Sequence, residues 1–464
     1  MSSRKLLVLT GVVVALFAFI FFFERKMPTT AEREQKGDVH WDLPEDRVER
    51  IRIERGGETL ELAKSGDAWN LVRPEAYPAD SFAAGELASE LADLKNPGGE
   101  PPAEGKAEDY GLATPVATAT ITWTDQKAPA KRLSRTIAFG IDIPGTDVTA
   151  ARVAGAPGIL FVPASVAASA RKPVEDLKSK DVFGAAAQDA TRIDVSRGRG
   201  SLTVAKKKGV WWLEQPLTDL ADKDVVDRLT ADLSSLRVTE FVPRAGAADL
   251  AALGLAPPAF RVTISDAKGA KHVLDLGSTR SDGNSVYAAR QGQVFTVGNA
   301  ILEELSREAV SFRDRRLVRF ERNDVTAVDA RIGAKRRSFV RNQAGWSVDG
   351  RALIASAADD LLNALSDAES LGFLDDVQAK ALALRQPESE ILVRLAGGPA
   401  WKIALYPARP ELAATVSGRP GAFTVSREAA GRLAAAIDKA ATAPPAPGPA
   451  TPRTAPTKGR SPVP

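Results

Sequence analysis

Alternating apolar and polar positions recur three times along this chain: Arg50-Ile51-Arg52-Ile53, Arg192-Ile193-Asp194-Val195 and Ala327-Val328-Asp329-Ala330. A period of two is the signature of a half-buried strand. Roughly eighteen residues after each stands a tryptophan in a second short run: Trp69, Trp212 and Trp346. A helical pattern follows, with Leu87, Leu91 and Leu94 answered by Leu229, Leu233 and Leu236 at a spacing of 142, and more loosely by Leu361, Leu362 and Leu365. Asp80 and Asp222 stand where an N-cap carboxylate accepts free amide hydrogens. Tyr110-Gly111-Leu112-Ala113-Thr114-Pro115 recurs as Leu253-Gly254-Leu255-Ala256-Pro257-Pro258. A late strand closes each unit: Ile159 to Val162, Val294 to Val297 and Ala422 to Val425.

Landmarks in one order at a period near 140 residues imply a duplicated domain rather than a small solenoid repeat. In the first copy, Gly56-Gly57 and Ser65-Gly66-Asp67 separate the early strands as hairpin turns do. The predicted fold class is α+β: three tandem repeats, each a mainly antiparallel sheet with one or two helices. Each repeated tryptophan, Trp69, Trp212 and Trp346, is expected to plug its sheet-helix interface. Trp211, one position from Trp212, then points to the opposite face as a candidate aromatic contact.

The chain ends change the picture. Leu6 to Phe23 carries no charge, and about eighteen residues at ~1.5 Å each just span a bilayer core. No small-residue cleavage site follows, so the expectation is an uncleaved single-pass transmembrane helix with the body exported. The expected division is 1–5 cytoplasmic, 6–23 anchor, 24–44 tether, repeats at 45–183, 184–318 and 319–441, and a proline-rich tail at 442–464. So much proline cannot bury a core, so the tail is expected to stay extended or disordered.

Composition excludes more than it proposes. The chain has 62 basic and 59 acidic residues, a net charge of +3, so no polyanionic partner such as nucleic acid is demanded. Zero cysteines and two histidines, His40 and His272, serve metal chemistry poorly. Asp219, Asp222, Asp224 and Asp227 lack the order of a calcium loop. Ser169-Ala170-Arg171-Lys172 fits the serine-lysine spacing of penicillin-binding enzymes, but the partner motifs are missing. The expectation is therefore a non-enzyme without cofactors. The basic run Arg313, Arg315, Arg316, Arg319, Arg322, Lys335, Arg336 and Arg337 is interleaved with acids, which suggests inter-domain ion pairs or a docking patch for an acidic partner.

Ile51, Ile53, Trp69, Leu71, Pro74, Ala79 and Asp80, repeated by Ile193, Val195, Trp212, Pro216, Ala221 and Asp222, resemble the bacterial domain of unknown function 4340 family. Phe312-Arg313-Asp314-Arg315-Arg316-Leu317 looks like the segment that ends such a unit. The resemblance implies a bacterial inner-membrane protein with a periplasmic body, an accessory or scaffold of a gliding-motility-type ABC transporter. Its implied partners are the permease and an auxiliary envelope subunit. The alternative from another class is a periplasmic module that binds cell-wall glycan or another ligand, with Trp211 as a stacking face.

Overall fold

The computed structural model describes residues 39–95, 106–128, 130–156, 158–198, 200–242, 247–398 and 400–445. The chain divides into two compact units, 1–180 and 181–464. The first unit contains an eight-stranded antiparallel sheet, and the second contains two nine-stranded ones. All three sheets share one plan. The first strand of each repeat, Val48–Arg55, Ala190–Arg197 or Val325–Ile332, lies at the sheet centre. On one side it pairs with its hairpin partner, Glu58–Ser65, Gly200–Lys207 or Lys335–Asn342. On the other it pairs with the strand that opens the second half of the repeat, Ala117–Thr124, Phe260–Asp266 or Ser389–Leu395.

One face of each sheet is apolar because alternate residues point the same way. Ile51 and Ile53, Ile193 and Val195, and Val328 and Ala330 are all buried. Helices cover that face: Ser81–Ala92 and Ala164–Arg171 in the first repeat, Lys223–Ser235 and Ile301–Ser306 in the second, Ala355–Ser366 and Arg427–Thr442 in the third. Asp80 accepts from the amides of Phe82 and Ala83, and Asp222 from those of Asp224 and Val225. The second and third repeats carry a further helix between the expected two, Ala247–Ala252 and Asp376–Ala383.

Two repeated devices join sheet and helix. Arg55 donates to the Ala170 carbonyl at 3.0 Å and Arg197 to the Leu305 carbonyl at 2.8 Å, each satisfying a carbonyl freed at a helix end. In the third repeat the same strand position is Ile332, packed against the core beside the longer helix Arg427–Thr442. The Gly-Leu-Ala-x-Pro loops dock on a glycine in the second strand after them, Arg132–Asp142 or Lys271–Thr279. A Cβ on Gly140 would lie 2.0 Å from the Tyr110 carbonyl oxygen, and one on Gly277 2.2 Å from that of Leu253. Those carbonyls accept from the amides of Ile141 and Ser278.

The expected membrane anchor is corrected. Among the described residues no helix is long and apolar enough to cross a membrane. The longest of them, Arg427–Thr442, has 16 residues, about 24 Å against a bilayer core of roughly 30 Å. It is also amphipathic, with Arg432, Asp438 and Lys439 beside the buried Leu433 and Ile437. Leu6 to Phe23, and the chain beyond residue 445, lie outside the described residues. The described structure thus gives the expected single-pass topology and inner-membrane, periplasmic placement no support.

Candidate functional site

The repeated tryptophans correct the predicted register. Trp69 is 5% exposed and Trp211 6%, and each sits opposite a lysine of its hairpin, Lys64 and Lys206. The equivalence is thus Trp69 with Trp211, 142 residues apart, and Trp346 opposite Arg341 continues the series. Trp211 belongs to the second core; Trp212, on the other face of its strand, packs half-buried against the third core with Val210, as Trp346 does from within the third repeat. The contact face assigned to Trp211 does not exist, and the glycan-binding alternative loses its stacking surface.

Most of the predicted docking patch is also consumed internally. Arg313, with a side chain only 6% exposed, donates from Nε to Asp219 at 2.7 Å and lies 3.9 Å over the Phe373 ring. Arg419, fully buried, reaches the same carboxylate at 2.7 and 3.1 Å. It also donates to the carbonyls of Asp314 at 2.7 Å and Leu317 at 3.3 Å. Arg319 pairs with Asp314 at 2.7 Å, Arg316 approaches Glu369 at 3.8 Å, and Lys335 bonds Asp438 at 3.0 Å. Asp219 therefore ties the second repeat to the third. In the first repeat the matching bridge is Ala79 with Lys178 rather than Ala221 with Arg313, and Lys178 lies over the Tyr77 ring at 5.9 Å.

Ser169 is buried on its helix, and the Lys172 ammonium is paired with Glu86 at 3.0 Å.

What remains of the patch is Arg315, exposed outside any of these joints, and Arg336 and Arg337, which help line an open basin of about 500 Å³ on the outer face of the third sheet. Its charges are laced together. Glu390 accepts from Lys402 at 2.7 Å and Arg331 at 2.9 Å, and these two cations, Lys402 first, hold its carboxyl below the ordinary glutamate range. Arg394 approaches Asp329 at 2.6 Å, and Ser338 Oγ donates to the same carboxylate at 2.7 Å. Asp349 accepts from the Ser338 amide at 3.0 Å, with Arg337 at 3.6 Å. The second sheet repeats the lattice, with Glu214 bound by Lys207 and Arg192 and Asp194 by Thr203. The first has its own basin of about 770 Å³, where Arg132 and Thr124 hold Glu49. Asp329, Glu390, Lys402 and Arg419 carry no motif; they are assembled by strand pairing and tertiary packing alone.

These features define a class: a tandem-repeat protein of antiparallel sheets, each covered by helices on its apolar face and carrying a charged lattice on the other. The chain belongs to the family described as a domain of unknown function (DUF4340), whose model matches residues 69–242 and 211–387. The two matches begin at Trp69 and Trp211, the pair that strand register makes equivalent. No curated protein matches the chain. A DNA polymerase III β-subunit sliding clamp from Bartonella birtlesii aligns at 8% identity over 82% of this chain and 90% of its own, with a TM-score of 0.14. At that score the likeness carries no argument.

Proposed function

We propose that this chain is a non-catalytic assembly protein of an ABC-type transport complex, presenting the outer faces of its repeated sheets to partner subunits. The observation that supports it most is the pairing of a threefold duplicated body with outer faces built from ion-pair lattices, a polar and open surface suited to protein contacts. The transporter in particular, with a permease and an auxiliary envelope subunit as partners, follows from the family resemblance of the sequence.

The test is affinity purification of the tagged full chain from gently solubilised cells of its own source, followed by mass spectrometry. Permease and auxiliary subunits are expected in near-stoichiometric amounts. Recovery of the chain alone, as a stable monomer, would refute the proposal.

A further inference from the structure

The basin on the third sheet contains a cation, Arg336, that meets no counter-charge among the described residues. Asp329 is taken by Arg394 and Ser338, Glu390 by Lys402 and Arg331, and Asp349 by the Ser338 amide and Arg337. Among the described residues the Arg336 guanidinium has no partner, and the Nε of Arg337 is buried without an acceptor. Arg336 stands directly opposite Arg331 across the hairpin. Like charges facing each other on neighbouring strands are destabilising. The corresponding pairs in the other repeats are Thr59 with Glu54 and Ser201 with Ser196, which carry no such repulsion. Arg337, opposite Ala330, replaces Leu60 and Leu202, both buried in their own cores. Of the three repeats only the third thus sets two arginines, Arg331 and Arg336, opposite each other at this position of the outer face.

We propose that this basin docks an acidic peptide segment of a partner protein, with Arg336 binding one of its carboxylates. Charge complementarity selects the acid. Half-buried Leu392 in the lining offers an apolar contact to a neighbouring side chain of the peptide. The opening, on an outer sheet face, suits an extended segment better than an enclosed small molecule. The inference rests on the assembly reading above only in taking the occupant to be a protein.

Fluorescence anisotropy of the full chain with a labelled peptide alternating glutamate and leucine tests it, with a glutamine-leucine peptide as control. Arg336→Glu is expected to weaken binding by about tenfold or more, and Arg336→Gln by less. Arg315→Glu, an exposed arginine outside the basin, should leave binding within about twofold. Unchanged binding in Arg336→Glu, an equal loss in Arg315→Glu, or equal affinity for the glutamine peptide overturns the proposal. So does Arg336-dependent binding of phosphatidylglycerol vesicles in place of the peptide. Loss of the peptide site while transporter subunits still copurify refutes the basin alone; peptide binding without copurification refutes the transporter reading alone.

Discussion

Replacing Asp219 by alanine removes a carboxylate shared by two buried guanidiniums. Asp219 and Arg419 have no exposed side-chain surface and Arg313 has 6%. Breaking a buried pair by deleting one partner costs about 3–5 kcal/mol, because the surviving charge is left in a poor solvent. Two features place the expected cost near the lower end. Arg419 keeps the carbonyls of Asp314 and Leu317, and Arg313 keeps the Pro420 carbonyl at 2.8 Å and the Phe373 ring. A destabilisation of roughly 3 kcal/mol is therefore expected, read as a lowered midpoint in urea titration of the full chain. Because Asp219 lies in the second repeat and Arg419 in the third, the loss should appear in the transition of the 181–464 unit. The double variant Asp219→Ala with Arg419→Ala should cost less than the sum of the singles by about 1–3 kcal/mol, the coupling expected of direct partners. A cost below about 1 kcal/mol for Asp219→Ala, or strict additivity, would show that the cluster does not hold the two repeats together.

Trp211→Ala should destabilise the second repeat by roughly 3–5 kcal/mol, while Trp212→Ala should cost less and be felt in the third repeat, whose core it covers; the same titrations decide, and the opposite ranking refutes the register. Gly277→Ala should cost about 1–3 kcal/mol through its clash with the Leu253 carbonyl, whereas Gly298→Ala, with nothing within 4 Å of the added carbon, should be neutral. Glu214 and Glu390 are held below the ordinary glutamate value of 4.5 by their cation partners. Their contribution to stability is present above that value and lost as pH falls through the lower, folded-state values. Urea midpoints measured from pH 6 downward should therefore fall in that range, and Glu214→Gln with Glu390→Gln should flatten the dependence. An unchanged acid limb in the double variant would refute the assignment.

Strand alternation, glycine turns and the N-caps Asp80 and Asp222 were legible along the chain because each depends on neighbours within a few residues. The same local logic revealed the duplication, since Leu87, Leu91 and Leu94 recur at one spacing. The Gly-Leu-Ala-x-Pro motif was visible as a repeat, but its purpose was not. It exists because the Tyr110 and Leu253 carbonyls approach Gly140 and Gly277, in strands 30 and 24 residues later, too closely for any side chain.

Sequence alone determined that three units of one design follow one another, because periodicity and capping are properties of short segments. Tertiary structure decided which of two adjacent tryptophans enters the core. A shift of one residue turns every side chain of a strand to the other face; the pairing of Lys206 with Trp211 settles that choice, and it agrees with the 142-residue spacing of the repeated leucines. It also decided that a basic run readable as a docking patch is largely an internal joint. Asp219 and Arg419 are 200 residues apart, and no local rule relates them; burial makes the pair obligatory only once the second and third repeats have packed. Arg336 is left over by that same accounting, a charge whose lack of a partner among the described residues becomes visible only when every neighbour has been assigned one.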